Sequence, residues 1–403
     1  MANVSSSNGL EKRPKLRFPG FDEPYRKCQI GDIYAERSQR GAGNMELLSV
    51  TMNDGVMPRS EIEGKDNSSE DKSNYKVVCK GDMVYNSMRM WQGANGVSDY
   101  DGIVSPAYTV LMPTEEIDNQ YFAALFKTSN LINEFRKNSQ GLTSDTWNLK
   151  YPQIRAIRLY IPSLQEQHKI SSFIITLEER IEKQRQLVDV LKKYKRGVIQ
   201  HIFRRSHGQT ESQQWQQVSL GDIFKKVSRR NTDGKIKNVI TNSAEYGLIP
   251  QRDFFDKDIA VEGNTENYYV IENEDFVYNP RKSNTAPYGP FNRYTLREQG
   301  IISPLYTCLV LKVDINSSYL AWYFKSGEWH RYIYDNGSQG VRHDRVSMTD
   351  DLLMGIPVIF PDRKTQDSIA NALDLIESRL NLAQNKLDLL TKEQNGFMQQ
   401  LFI

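Results

Sequence analysis

The residues with the clearest chemical potential are arginine, asparagine, glutamine and aromatic side chains in short polar segments. Arg, Asn and Gln side chains match the hydrogen-bonding edges of guanine and adenine in the major groove, whereas Lys and Ser suit phosphates. Polar loops also use these residues for solvation, so the segments indicate DNA contact only together with the repeat described below. The predicted DNA-binding residues are Arg37, Arg40, Arg89, Trp91, Gln92, Asn95, Arg229, Arg230, Arg281, Lys282, Asn284, Tyr288, Arg342 and His343.

Motifs typical of catalysis are missing from the sequence. There is no G-x-x-x-x-G-K-[ST] loop for ATP and no H-E-x-x-H zinc motif. Asn279-Pro280 shares only two residues with the Asn-Pro-Pro-aromatic motif of amino-methyltransferases, and the segment predicts a turn at a strand end. The five histidines are scattered, and the stretch around Glu61 and Glu63 is typical of a solvated loop. We therefore expect a non-catalytic chain that binds no cofactor and no metal.

Composition limits the class of protein. The chain has 403 residues, a formal net charge of +2 and 38% hydrophobic residues. This balance excludes a histone-like polycation but leaves local basic faces open. Cys28, Cys79 and Cys308 lie too far apart for a zinc ribbon or a disulfide framework. The sequence shows neither a signal peptide nor a membrane-spanning run, so we expect a soluble cytoplasmic protein.

The chain contains an internal duplication. The matching segments are 30–33 with 220–223, 82–86 with 275–279, 102–108 with 300–306, and 139–141 with 338–340. The offset grows from 190 residues at Gly31 and Gly221 to 199 at Gln167 and Gln366, and then stays constant. Insertions thus accumulate in the front of each repeat, where loops tolerate them, and stop in the back.

The back of each repeat predicts one long helix. Residues 164–203 contain no proline, and apolar residues recur every 3.5 residues in both repeats, which is typical of a left-handed coiled coil. Each stripe could instead pack on its own globular domain, but the two seams match in length and phase. Lys195 and Gln394 are polar seam positions that would fix the register. The predicted apolar seam is Ile170, Ile174, Leu177, Ile181, Val188, Leu191, Ile369, Leu373, Ile376, Leu380, Leu387 and Leu390.

The front of each repeat predicts an α+β domain. The strand-like runs are 75–78, 157–161, 276–278 and 355–360, and the helical runs are 121–126 and 319–324. The predicted organisation is a flexible tail 1–14, a first globular domain 15–163, a long helix 164–205, a polar linker 206–214, a second globular domain 215–362 and a second long helix 363–403.

Together these features resemble the specificity subunit of a type I restriction-modification system, over essentially the whole chain. The resemblance rests on the opening residues 16–21 (LRFPGF), the Gly-Asp-Ile turns at Gly31 and Gly221, and residues 161–170 (IPSLQEQHKI) before the first long helix. The second copy of that junction, residues 360–369, keeps the proline and one glutamine but lacks the Glu-Gln pair. The order and duplication of these short motifs make the match specific.

The resemblance implies two similar target recognition domains, each of which reads one half of a bipartite DNA site. The long helices would pack antiparallel as a spacer and as a docking framework. Two methyltransferase (modification) subunits would bring S-adenosylmethionine, and restriction subunits would bring ATP and Mg²⁺. This chain would select the adenines that the partner flips out. Because the polar loops of the two repeats differ in sequence and length, we expect the two half-sites to differ and the target to be non-palindromic.

Two other hypotheses remain at this stage. A two-headed coiled-coil scaffold could organise proteins rather than DNA, although polar Arg-, Asn- and Gln-rich loops at equivalent repeat positions count against it. A stand-alone methyltransferase or nuclease with unfamiliar motifs is the enzyme alternative, and the missing catalytic motifs count against that one.

Overall fold

A computed structural model describes residues 2–3, 13–41, 45–52, 54–66, 68–144, 146–205, 215–254, 265–337 and 344–403. The predicted linker 206–214 and most of the predicted tail 1–14 lie outside these residues. Within the tail, the short strand Ala2–Asn3 pairs antiparallel with Leu16–Arg17. None of the helices in these ranges has the length and apolar character that crossing a membrane requires.

The helices and strands alternate irregularly along the chain. The strands of the first half are β1 (Ala2–Asn3), β2 (Leu16–Arg17), β3 (Arg26–Gln29), β4 (Tyr34–Glu36), β5 (Leu48–Val50), β6 (Val56–Pro58), β7 (Lys76–Val78), β8 (Met83–Asn86), β9 (Asn95–Val97), β10 (Gly102–Val104), β11 (Tyr108–Pro113) and β12 (Arg158–Ile161). The strands of the second half are β13 (Gln216–Ser219), β14 (Phe224–Val227), β15 (Ile240–Ser243), β16 (Gly247–Pro250), β17 (Tyr269–Ile271), β18 (Phe276–Tyr278), β19 (Phe291–Arg293), β20 (Gly300–Ile302), β21 (Thr307–Leu311) and β22 (Pro357–Phe360). The helices are α1 (Ile30–Ile33), α2 (Asn119–Leu125), α3 (Ser129–Asn138), α4 (Tyr151–Ile154), α5 (Leu164–Arg205), α6 (Leu220–Ile223), α7 (Gln251–Phe254), α8 (Ser317–Ser326), α9 (His330–Asn336), α10 (Asp350–Met354) and α11 (Arg363–Leu401).

The chain forms two compact units. Unit 1 comprises Met1–Arg185 and Asn385–Ile403, and unit 2 comprises Gln186–Gln384. Each unit therefore combines one front domain with part of α5 and part of α11. This division differs from the predicted one, in which the helices stand apart from the domains, because the helix ends pack into the domain cores.

Apart from the β1–β2 pair, each sheet described in unit 1 has a counterpart in unit 2. In unit 1 a four-stranded antiparallel sheet has the order β4-β11-β8-β9, and in unit 2 the order β14-β21-β18-β19 repeats it strand for strand. The pairs β3–β12, β5–β6 and β7–β10 of unit 1 correspond to β13–β22, β15–β16 and β17–β20 of unit 2. The predicted duplication and the α+β class are thus confirmed at the level of strand order.

The Gly-Asp-Ile motif builds the same short helix at the start of each unit. In α1 the Asp32 carboxylate accepts the Gln29 backbone N–H at 2.7 Å, and in α6 Asp222 does the same for Ser219 at 2.8 Å. These are capping boxes, which satisfy N–H groups that a helix start leaves unpaired. A Cβ on Gly31 would lie 2.9 Å from the Arg155 Cβ, so this position requires glycine.

The long helices run antiparallel where they meet inside each unit. In unit 1 the early α5 residues Leu177 and Ile181 form a buried cluster with the late α11 residue Leu390. In unit 2 the late α5 residue Lys195 pairs through Nζ with Glu377 of early α11 at 2.6 Å. All predicted seam residues are buried or half-buried, as residues at a helix–helix seam are.

The helix ends also belong to the domain cores. Ile170, Ile174 and Phe402 lie in the main core of unit 1, while Phe203 packs against Tyr319 at 5.6 Å between ring centroids in unit 2. The ends of the long helices therefore pack on the globular domains, as the alternative hypothesis expected. The parts between these ends pair helix with helix.

One glutamine at the start of each long helix anchors the helix to its domain. In unit 1 Gln167 donates through Nε2 to the Pro162 carbonyl at 3.0 Å and accepts the Asp118 backbone N–H at 3.1 Å. In unit 2 Gln366 accepts the Asn316 backbone N–H at 2.9 Å and donates to the equivalent proline carbonyl at 2.8 Å. Asp118 and Asn316 are the N-caps of α2 and α8, so the glutamine couples two helix starts.

Candidate nucleic-acid interface

The first group of predicted DNA-binding residues in unit 1 follows the end of β8. A 3-10 turn, Met90–Gln92, begins after Arg89 and ends at Gly93, whose φ of 87° is favoured by glycine. The Arg89 guanidinium is exposed and donates to the Gln92 side-chain oxygen at 3.2 Å. The turn thus presents a preformed Arg–Gln pair of donors and acceptors to solvent.

An aromatic pair braces this turn. The Trp91 indole donates through Nε1 to the Met88 carbonyl at 3.0 Å, and its ring lies edge-on to Trp147 with 5.3 Å between centroids. Trp147 was not predicted from the sequence. Its contact with Trp91 spans 56 positions, and no motif indicates a pairing over that distance.

The equivalent group in unit 2 follows the end of β18 and is built differently. The buried Asn279 side chain accepts the Arg281 backbone N–H at 3.0 Å, which forms a tight turn after the strand. The Lys282 N–H then donates to the Asp344 carbonyl at 2.9 Å, and Arg281 forms a β-bridge with Arg345. The guanidinium of Arg281 is exposed beside the segment that contains Arg345. Unit 2 thus brings two arginines together where unit 1 has Arg89 alone.

Tyr288 closes the unit 2 loop, and Asn284 lies at its exposed tip. The Tyr288 carbonyl accepts the Tyr278 hydroxyl at 2.9 Å, and the Tyr288 ring lies 4.8 Å from the imidazole of His330. Burial lowers the pKa of His330 to about 4, so the imidazole is neutral at pH 7. Tyr288 therefore has a structural role at the base of the loop, and Asn284 is its accessible polar side chain.

A second group lies near the opposite end of the same central strands. Arg37 donates through Nε and Nη2 to Asp82 at 2.6 and 3.0 Å, and Asp82 is buried. In unit 2 Arg229 donates to Asp275 at 2.7 Å and to Glu272 at 2.8 Å. The same Arg–Asp pair thus fixes the start of β8 and of β18, and both guanidinium groups are engaged by carboxylates.

Arg40 and Arg230 lie three and one residues beyond these pairs, and both side chains are exposed. Arg40 forms a β-bridge with Lys76, and Arg230 forms the equivalent bridge with Tyr269. The Arg230 guanidinium also lies 6.0 Å from the Tyr269 ring centroid and donates to Asn267 at 2.8 Å. The two cations thus lie at equivalent strand edges of the two units.

The remaining predicted residues are not part of either group. Asn95 is completely buried in β9, so its amide has no access to a duplex. Arg342 and His343 lie outside the described residues. The polar groups that the structure brings to the strand ends are thus the exposed Arg89 with the half-buried Gln92, and the exposed Arg281 and Asn284, beside the exposed cations Arg40 and Arg230. Such groups can donate to base edges or to phosphates.

Part of the chain matches the model of a known family. Residues 28–192 match the type I restriction modification DNA specificity domain. The type I restriction enzyme HindI specificity subunit of Haemophilus influenzae is 24% identical over 188 residues, which cover 44% of this chain. The matched stretch spans 40% of that relative's length.

Two solved structures share the fold over nearly the whole chain. The type I restriction-modification S subunit from M. genitalium is 16% identical with a TM-score of 0.56, and the match covers 97% of this chain and 99% of the other. A second solved structure, which concerns complex assembly and conformational transition of the type I R-M system, is 15% identical to this chain with a TM-score of 0.56. The match covers 96% of this chain and 99% of the other. At such identities the likeness establishes the fold.

Proposed function

Because residues 28–192 match the type I restriction modification DNA specificity domain, we propose that the whole chain is the DNA specificity subunit of such a system. Unit 1 reads one half of a bipartite DNA site, and unit 2 reads the other half. The observation that carries this proposal is the repetition, in unit 2, of every sheet that the family-matched part of unit 1 contains. A domain of one function, present twice in one chain, suits a target with two halves.

The target of this subunit is asymmetric. The frameworks of the two units agree at the Arg–Asp pair and in strand order, whereas the segments after β8 and β18 differ in sequence and construction. Arg89 and Gln92 are the reading side chains of unit 1, and Arg281 and Asn284 are those of unit 2. Each unit thus offers an arginine that matches guanine and an amide that matches adenine. Because the two turns that hold these side chains are built differently, the order of the bases read by the two units differs. Arg40 and Arg230 contact phosphates beside them.

The long helices set the gap between the two half-sites and carry the partner subunits. The seam residues of both helices are packed inside the chain, whereas charged residues outside the seam lie at the surface. Two methyltransferase subunits supply S-adenosylmethionine and the chemistry, and restriction subunits supply ATP-driven cleavage. The chain itself selects DNA without catalysis, and the complex works in the cytoplasm.

Co-expression tests this proposal. The chain is produced with a type I methyltransferase subunit encoded beside it, in a host that lacks DNA methylation, and N6-methyladenine is mapped across the genome. The expected result is one interrupted motif with two different halves, absent when either protein is omitted. A palindromic motif contradicts the asymmetric reading. Absence of new methylation, with the complex intact, contradicts the specificity role and favours the protein scaffold.

A further inference from the structure

The 139–148 loop of unit 1 has a closed base that is joined to the segment after β8. Gln140 and Asn148 pair as an antiparallel β-bridge, with backbone hydrogen bonds of 3.0 and 2.8 Å. The N–H of Leu149 then donates to the Ser87 carbonyl at 2.8 Å. Because Ser87 belongs to the segment that leads into the proposed reading turn, the loop and the turn form one surface.

The tip of this loop has a fixed backbone. Gly141 has a φ of 149°, and a Cβ at this position would lie 2.6 Å from the Thr146 carbonyl oxygen. The Thr146 N–H donates to the Thr143 carbonyl at 3.0 Å, and the Thr143 N–H donates to Thr146 Oγ1 at 3.1 Å. These contacts hold the backbone on both sides of Leu142, so the tip is formed before a partner binds.

Leu142 extends from the tip into solvent. Its exposed fraction is 101%, and the next most exposed large apolar side chain among the described residues, Leu382, reaches 69%. A single exposed leucine is ordinary on a protein surface. This one, however, stands on a loop that contacts the reading turn through the edge-on pair of Trp147 and Trp91, and Met88 before that turn is also exposed.

The internal repeat keeps an aliphatic residue at the same position. Residues 139–142 (SQGL) align with 338–341 (SQGV) at an offset of 199. The residues that follow, 143–147 (TSDTW) and 342–346 (RHDRV), share only the aspartate. Val341 itself lies outside the described residues. A solvated loop tip does not need an aliphatic side chain, so its presence in both repeats indicates a function common to the two loops.

The surroundings of Leu142 favour contact with DNA over contact with a protein. The core of a protein–protein interface contains several apolar and aromatic side chains. Leu142 is instead followed by the exposed polar residues Thr143 and Ser144. Proteins that distort DNA insert single apolar side chains, leucine and methionine among them, between stacked bases. A leucine on a preformed tip beside base-reading side chains suits that use.

We propose that Leu142 inserts between two stacked base pairs of the half-site that unit 1 reads and unstacks that step. This inference rests on the proposed DNA-specificity function and adds a distortion of the target to the hydrogen bonds of Arg89 and Gln92. The cost of unstacking depends on the two base pairs, so Leu142 contributes to specificity at a step that no polar side chain contacts. Pyrimidine–purine steps such as TA and CA/TG unstack most easily, so the step is of this kind.

Fluorescence of 2-aminopurine, which rises when the base is unstacked, tests the inference. The probe replaces in turn each adenine of the mapped unit 1 half-site and its flanks, on either strand, except those that are methylated. The complex of the chain with its methyltransferase subunit is then added. The expected result is a rise at one step. Leu142→Ala should lower this rise by roughly threefold or more, and Leu142→Met, which keeps a long apolar side chain, should restore it.

Leu305→Ala provides the matched control, because Leu305 is a leucine of unit 2 that is 63% exposed. The rise in the unit 1 half-site should be unchanged in this variant. An equal rise in wild type and Leu142→Ala would overturn the inference, as would a wild-type complex that binds its motif without any rise. Loss of complex assembly in Leu142→Ala would identify a protein contact instead and would also overturn it. A complex that selects no motif would contradict the proposed function, and the inference with it.

Discussion

Units 1 and 2 have the same framework but differ in the chemistry placed on it. At the start of α5, Glu166 is completely buried and accepts two hydrogen bonds from Arg17 at 2.8 Å, whereas the equivalent position in α11 is Thr365. Near the end of α2, Ala124 stands where α8 has the buried Trp322. Neither change alters the strand order.

The comparison shows which positions the fold fixes. Groups that satisfy buried backbone atoms, such as Gln167 and Gln366 with their proline carbonyls, are the same in both units. An unsatisfied buried backbone group is costly, so substitution there carries a penalty that the rest of the fold cannot offset. The side chains after β8 and β18 do not have to satisfy buried backbone groups, and these are the segments that differ between the two units.

The largest expected effect comes from the ion pair found only in unit 1. Glu166→Gln leaves the buried Arg17 guanidinium without its carboxylate, which should lower the free energy of unfolding of unit 1 by about 3–5 kcal/mol. Thr365→Ala, at the equivalent position of unit 2, removes a side-chain hydrogen bond to Asp362 and should cost about 1 kcal/mol. Hydrogen exchange of the two units measures both losses. Equal losses would mean that the ion pair does not stabilise unit 1.

The glutamine anchors should behave alike in the two units. Gln167→Ala and Gln366→Ala each leave a proline carbonyl and an N-cap N–H without a partner, and each should cost about 1–3 kcal/mol. The starts of α2 and α8 should then exchange their amide hydrogens faster, each in its own variant. A loss confined to one unit would contradict the equivalence of the two junctions.

The reading side chains should act on separate halves of the target. Arg281→Ala should relax discrimination at one base pair by about 1–3 kcal/mol if Arg281 reads a guanine. Arg89→Ala is the matched variant, with its effect on a base pair in the other half. Binding of the assembled complex to single-base variants of the site measures both. A uniform loss on all sequences would instead identify a phosphate contact.

The smallest expected effect is the pH dependence that Asp118 gives to unit 1, at a position where unit 2 has Asn316. Burial by itself raises the pKa of Asp118, but hydrogen bonds from Ser171, His168 and the backbone of Tyr121 and Gln120 outweigh it and hold the pKa below its ordinary value. A depressed carboxyl pKa gives stability that is full above the unfolded-state pKa of about 4 and is lost as the pH falls below it.

Asp118→Asn should therefore remove part of the acid sensitivity of unit 1, with a change of about 1 kcal/mol at neutral pH. Unit 2 already has Asn316 at this position and provides the internal control. Unfolding measured between pH 3 and pH 7 tests the difference. An acid profile of unit 1 that is unchanged by the substitution would exclude Asp118 as its source.

Local patterns in the sequence predicted most of the framework. The heptad seam gave the first long helix with the bounds found for α5, 164–205, and the Gly-Asp-Ile motif indicated the turns that became α1 and α6. These features depend on residues within a few positions of one another. The strand-like runs at β7, β12, β18 and β22 were found for the same reason.

Sequence patterns did not predict which residues contact each other when they lie far apart in the chain. Arg37 looked like a DNA contact, yet its guanidinium is held by Asp82, 45 positions away. Asn95 was predicted to read DNA and is buried, because β9 pairs with β8 and its side chain faces the core. The pairing of Arg17 with Glu166 spans 149 positions, and nothing in the spacing indicates it.

The central claim is that each unit reads one half of the DNA target, and a segment exchange tests it most directly. Residues 75–100 of unit 1, which include β8 and the Arg89–Gln92 turn, are replaced by the same segment of a specificity subunit with another target. N6-methyladenine is then mapped for the complex with the methyltransferase subunit. We predict a motif in which one half is new while the other half and the gap are unchanged. A change in both halves, or a fully methylated original motif, would contradict the assignment of one unit to one half-site.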